Sequence, residues 1–123
     1  MHDLDPDVPV QPAPLAFLLL LVSLGGVLGS LARYALVDAF PDLVTTLAIN
    51  VVGSLALGVL VAQRPDGRWS RPFLGTGVLG GFTTFSAFAV QTLDASLPTG
   101  IAYVAGTLVL GIGAAGLGLR VGR

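Results

Sequence analysis

Four uncharged, strongly apolar stretches leave this chain few choices of fold. They are Leu15–Ala32, which continues past Arg33 to about Val37, then Leu43–Gln63, Pro72–Leu93 and Ala95–Leu119. A helix needs about 20 residues to cross the hydrocarbon of a bilayer at roughly 1.5 Å of rise per residue, and every stretch fits. The connections, D-A-F-P-D from Asp38, R-P-D-G-R-W-S-R from Arg64 and D-A-S-L-P from Asp94, leave no room for a soluble domain. Only 11% of residues are charged and 54% are hydrophobic, whereas a soluble domain carries about a quarter charged residues. The expected fold class is an all-α integral membrane protein with four transmembrane helices at about 15–37, 43–63, 72–93 and 95–119. Residues 1–14 are acidic and proline-rich and are expected to be a disordered tail before a membrane domain over 15–123. The first basic residue is Arg33, so the tail lacks the basic start of a secretory signal and the first stretch should remain as a span.

The third stretch is the unusual one. Gly77 to Phe88 reads G-V-L-G-G-F-T-T-F-S-A-F. Gly80 and Gly81 each cost a helix about 1 kcal/mol relative to Ala, and two threonines follow at once. A break inside a span is tolerated only where the freed backbone groups are buried in protein, wetted or bonded to an ion. Phe85 and Phe88 then share a face at i, i+3. A break, a hydroxyl pair and an aromatic pair at mid-membrane depth predict an ion site.

Other chemistry is thin. There is no cysteine, His2 is the only histidine, and every charged side chain is Asp or Arg. Thiolate metal sites are thereby excluded, and a zinc or haem site within the membrane has no ligands. No nucleophile stands with a base, and Gly75, Gly77, Gly80 and Gly81 lie within a span rather than in a phosphate-binding loop. Neither an enzyme nor a nucleic-acid partner is expected.

Each span carries small or polar residues at helical spacing. Gly25 and Gly29, with Gly26 and Ser30, suit close packing of helix backbones in lipid. Thr46, Asn50, Ser54 and Gly58 form an i, i+4 stripe on the second span, and Tyr103, Thr107 and Gly111 repeat that interval on the fourth. On chemistry alone Asn50 serves either as interhelical glue or as the lining of a polar pathway, and Tyr103 and Thr107 fall in the same class. Arg33 can snorkel to the interface or hold a positive charge at a pore mouth.

These pieces resemble the Fluc (CrcB) family of small fluoride channels. The resemblance lies in G-G-V-L-G-S-L-A-R-Y (Gly25–Tyr34), T-L-A-I-N-V-V-G-S (Thr46–Ser54) and the Gly77–Phe88 stretch, in this order and at this spacing. It implies an antiparallel dimer of four-helix subunits, the third helix broken at mid-membrane, exporting cytoplasmic fluoride passively across the plasma membrane. It implies a structural sodium ion at the dimer centre, bound by the backbone carbonyls of Gly80 and Thr83. It places Asn50, Phe85, Ser86, Phe88, Tyr103 and Thr107 along the fluoride pathway and Arg33 at its vestibule, where positive charge concentrates anions. Ring edges are electropositive and can accept a small anion. Ala87 and Gly111 depart from the family pattern, each standing where relatives often carry a hydroxyl, and Phe82 stands where many have Leu.

Charge placement bears on orientation and pairing. Arg64, Arg68, Arg71, Arg120 and Arg123 fall on the side of the termini, against Arg33 on the other. By the positive-inside rule the termini are expected in the cytoplasm. So strong a bias predicts pairing with an inverted, separately encoded homologue, the alternative being a homodimer of dual topology. Two other functions compete: a small four-span multidrug exporter and a non-conducting assembly subunit. Coupled cation export needs a carboxylate within the membrane. This chain has no Glu, and its Asp residues are expected outside the spans.

Overall fold

The computed structural model describes residues 13–63 and 69–123. Most of the expected tail, and the first part of the connection from Arg64 through Arg68, where the P-D-G of Pro65 to Gly67 signals a turn, lie outside the described residues. The described chain is helical throughout its length: α1 (Leu15–Ala39), α2 (Leu43–Gln63), a third span in pieces, and α5 (Leu97–Val121). All four spans are long and apolar enough to cross a membrane, at nearly the expected positions. α1 runs slightly further than expected and takes Asp38 into its last turn.

Local chemistry explains the ends. The Phe40 N–H closes α1 on the Leu36 carbonyl at 2.9 Å, and Pro41 cannot continue the ladder. The Asp42 carboxylate then accepts the Thr45 N–H at 2.7 Å and the Thr45 hydroxyl at 3.0 Å, capping α2. Those two bonds, the backbone one first, hold the Asp42 carboxyl below its usual pKa range. Pro98 sits in the first turn of α5 and Arg120 in its last, as backbone donors and the helix dipole favour.

The spans pack as two intimate pairs, α2 with α5 and α1 with the first half of the third span. Glycine makes both possible. A methyl group at Gly58 would run into the Ala115 carbonyl, and one at Gly118 into that of Leu55. In the other pair, methyls at Gly25 and Gly29 would strike the carbonyls of Phe73 and Val78. The interior is consequently built of glycine and hydroxyl residues, with Ile49 and Tyr103 its only buried large apolar side chains among the described residues. Apart from Ile49, the leucine, valine and isoleucine side chains of the described residues are half-buried or exposed. Lipid is as apolar as leucine, so close backbone approach replaces the hydrophobic drive that fills a soluble core.

The third span comes in three parts. Arg71–Leu79 is wound as a π-helix, a rare form that marks functional regions more often than chance. α3 (Gly80–Phe82) adds one α-helical turn, and α4 (Phe85–Asp94) resumes after a break. The break lies later than the glycines suggested. Gly80 is helical, with φ −64° and ψ −38°, whereas Thr83 and Thr84 are extended, with ψ 156° and 124°. Gly81 is used for contact instead: a side chain there would meet the Gly26 backbone of α1.

Candidate functional site

A broken helix leaves orphaned backbone groups, and several of them find partners outside the helix. The Thr83 N–H and hydroxyl both reach the Leu79 carbonyl at 3.0 Å. The Thr84 N–H, which would serve the Gly80 carbonyl in a continuous helix, donates instead to Asn50 Oδ1 at 2.8 Å. Asn50 Nδ2 returns the bond to the Thr84 carbonyl at 3.0 Å. One amide side chain thus pairs with both polar groups of one peptide residue, as a neighbouring β-strand would. The Ala87 N–H, the helical donor for the Thr83 carbonyl, is taken by Thr84 Oγ1 at 3.2 Å, which caps α4. The Gly81 carbonyl accepts Arg33 Nε at 3.1 Å and Ser30 Oγ at 3.4 Å. The carbonyls of Gly80 and Thr83 are therefore both deprived of their helical donors.

On the α2 and α5 side of the break lies an open groove of about 330 Å³. Asn50, Phe85, Phe88 and Thr107 line it together, with Ser54, Thr83 and Thr84 beside them. Phe85 and Phe88 tilt at 51° with centroids 5.7 Å apart, and Phe88 tilts at 49° to Tyr103 at 5.2 Å. The three rings form one run from α4 to α5. Phe85 is 78% exposed on the isolated chain, whereas Tyr103 is buried. The Ser86 hydroxyl lies 3.2 Å from Thr84 Oγ1. Arg33 is not in this groove; its side chain holds the break from the α1 side.

Several participants escaped the sequence reading. The Tyr103 hydroxyl donates to Gln91 Oε1 at 2.9 Å, and Gln91 stands three residues beyond Phe88, a spacing that puts both on one helical face. Thr84, which the sequence marks only as half of a hydroxyl pair, supplies the cap and the peptide that Asn50 holds. Thr46 Oγ1 and Thr107 Oγ1 are buried without hydrogen-bond partners. Ser54 Oγ lies 3.8 Å from where a side chain at Gly111 would begin, so α2 brings a hydroxyl close to the one α5 lacks.

Fold and site together define a small four-span membrane protein in which a broken helix faces a groove of aromatic rings and polar groups. The family described as CrcB-like protein, Camphor Resistance (CrcB), matches residues 20–119. The fluoride-specific ion channel FluC 1 of Rhodococcus jostii is 50% identical over 102 residues, spanning 83% of this chain and 82% of the relative. FluC 1 of Methanospirillum hungatei is 42% identical over 107 residues, spanning 84% and 74%, and FluC of Paracoccus denitrificans 45% over 115 residues, spanning 83% and 91%. The chain belongs to the CrcB family.

Proposed function

We propose that this chain forms a passive channel that lets cytoplasmic fluoride leave across the plasma membrane. The observation that carries the reading is the groove at the break. There the Phe85–Phe88–Tyr103 ring run adjoins Asn50 and Thr107, in a family whose similar members are named fluoride-specific ion channels. It is a channel reading, not an enzyme.

The physics of the break supports it. α3 ends on carbonyl oxygens, and α4 begins with the positive dipole end of a helix, which favours an anion. Fluoride gives up strongly held water on entering a narrow path, so fixed donors must stand in for that water. Tilted ring edges, the Ser86 hydroxyl, the free Thr107 hydroxyl and the second amide hydrogen of Asn50 are such donors. Beyond Phe88 the same path would continue to Tyr103, Gln91 and the unpartnered Thr46.

The Gly80 and Thr83 carbonyls suit sodium, a hard cation that takes oxygen ligands. Both lack their helical donors, and Gly80 is exposed on the single chain, where a second subunit can complete the ligand set. Sodium bound there would supply a fixed positive charge between two subunits. That arrangement is the antiparallel dimer, termini in the cytoplasm, with an inverted homologous partner favoured by the arginine bias. The exporter reading is weaker, because Asp38 and Asp94 stand exposed at span ends. A non-conducting assembly subunit would have no use for the ring run.

Fluoride efflux from liposomes, with the protein reconstituted alone and with a co-expressed homologue, tests the function: no efflux from an assembled dimer rejects it. A reporter fused to the C-terminus tests pairing, since equal signals from both membrane faces would contradict a one-way insertion.

A further inference from the structure

We infer that Arg33 is a positioning residue of the broken third span, acting through the Gly81 carbonyl to set the spacing of the Gly80 and Thr83 carbonyls. This rests on the reading of those two carbonyls as a cation seat.

In an unbroken helix the Gly81 carbonyl would accept the Phe85 N–H. The extended Thr83 and Thr84 carry that donor away. An orphaned carbonyl in a membrane interior is costly unless another donor reaches it. Two do, both from α1 and one turn apart: Ser30 Oγ and Arg33 Nε. They reach it because Gly29 of α1 and Gly81 of α3 carry no side chain, so the α1 backbone lies directly against Val78 and Gly81. On the opposite flank Asn50 holds the Thr84 peptide from α2. The break is pinned on both sides, and the Gly80 and Thr83 carbonyls, each deprived of its helical donor, lie just before one clamp and between the two.

The bonding atom matters. A charge that only attracts anions needs no bond and works from any nearby position. A snorkelling arginine turns its guanidinium toward the interface. Here the donor is Nε, the inner nitrogen of the planar group. Lysine carries a methylene at that place in the chain, with its ammonium one atom further out. Arg33→Lys therefore keeps the charge and removes the donor where the Gly81 carbonyl needs it.

The test uses the full chain with whatever partner its assembly requires. Thermal stability is followed as Na⁺ replaces N-methyl-D-glucamine at constant ionic strength, and hydrogen exchange is followed across residues 79–87. Arg33→Lys is expected to need about tenfold more Na⁺ for half of the stabilisation, and to exchange about tenfold faster across the break, the scale of one lost charged hydrogen bond. Its loss of fluoride efflux should persist at high salt, where a part-buried bond is not screened. If Arg33→Lys matches the parent protein in exchange and Na⁺ dependence, while Arg33→Gln loses efflux only at low salt, the residue acts by charge at a vestibule and the inference is overturned. If the parent protein shows no response to Na⁺, the cation seat falls, and the clamp is decided by exchange across 79–87 alone. Should Arg33→Lys fail to fold, Ser30→Ala removes the second donor from the same carbonyl. Faster exchange there supports the clamp, and unchanged exchange refutes it.

Discussion

The α2–α5 seam and the break in the third span solve the same problem by opposite means. At the seam two helices meet backbone to backbone over Gly58 and Gly118. At the break the backbone leaves the helix, and Arg33, Ser30 and Asn50 must come from two neighbouring helices to satisfy it. Where every peptide group is already paired, shape alone joins the helices. Where peptide groups come free, polar side chains are required, and the carbonyls they leave over become available to an ion.

Substitutions at the two regions should therefore fail in different ways. The largest effect is expected from Gly118→Val at the seam. Its side chain meets the Leu55 carbonyl, a backbone group that cannot turn aside, and overpacking of this kind costs about 1–3 kcal/mol or more. Folded, monodisperse protein should be lost in size-exclusion chromatography. Gly106→Ala on the same helix, with nothing near its missing side chain, should be silent.

Asn50→Ala comes next. It leaves the N–H and the carbonyl of Thr84 unpaired, at about 1–3 kcal/mol for each buried group. Exchange at the break should quicken and fluoride efflux fall at least about tenfold by that measure, while the seam stays protected. Asn50→Asp keeps the acceptor for the Thr84 N–H and should fall between. If the two variants behave alike, the paired bonding of Asn50 is not what holds the break.

Tyr103→Phe is a milder cut at the ring run. It keeps the ring beside Phe88 and removes the donor to Gln91, about 0.5–1.5 kcal/mol for one neutral bond. Efflux should drop a few-fold with little change in melting temperature.

The smallest effect belongs to neither region. The Asp42 carboxyl is held below its ordinary pKa of about 3.9 by the Thr45 bonds. Its contribution to α2 is complete above that pH and is lost as pH falls through the lowered folded value. Asp42→Asn should melt with less pH dependence than the parent protein below about pH 4, and that difference should be slight, because the cap is fully exposed.

Much of this molecule could be read without coordinates. Four uncharged runs of membrane length, joined by short connections, admit little besides four helices, because lipid forbids unpaired backbone and charge. The break could also be expected, since two glycines and two threonines mid-span are poor helix formers. Type and spacing set Asn50, Phe85, Phe88 and Thr107 apart only as polar and aromatic residues on helix faces; the family resemblance made them pathway candidates, and the structure gathers them around one groove. Tertiary structure decided the rest. Within the glycine and threonine stretch it put the break at Thr83 and Thr84, because Gly81 is needed for contact with Gly26 and because Asn50 captures the Thr84 peptide. It turned Arg33 toward the Gly81 carbonyl and put Gln91 against Tyr103. None of these could be read from periodicity, which reports which face of its own helix a residue occupies. The partner across the gap depends on how closely two backbones approach, and here glycines on all four spans set that distance.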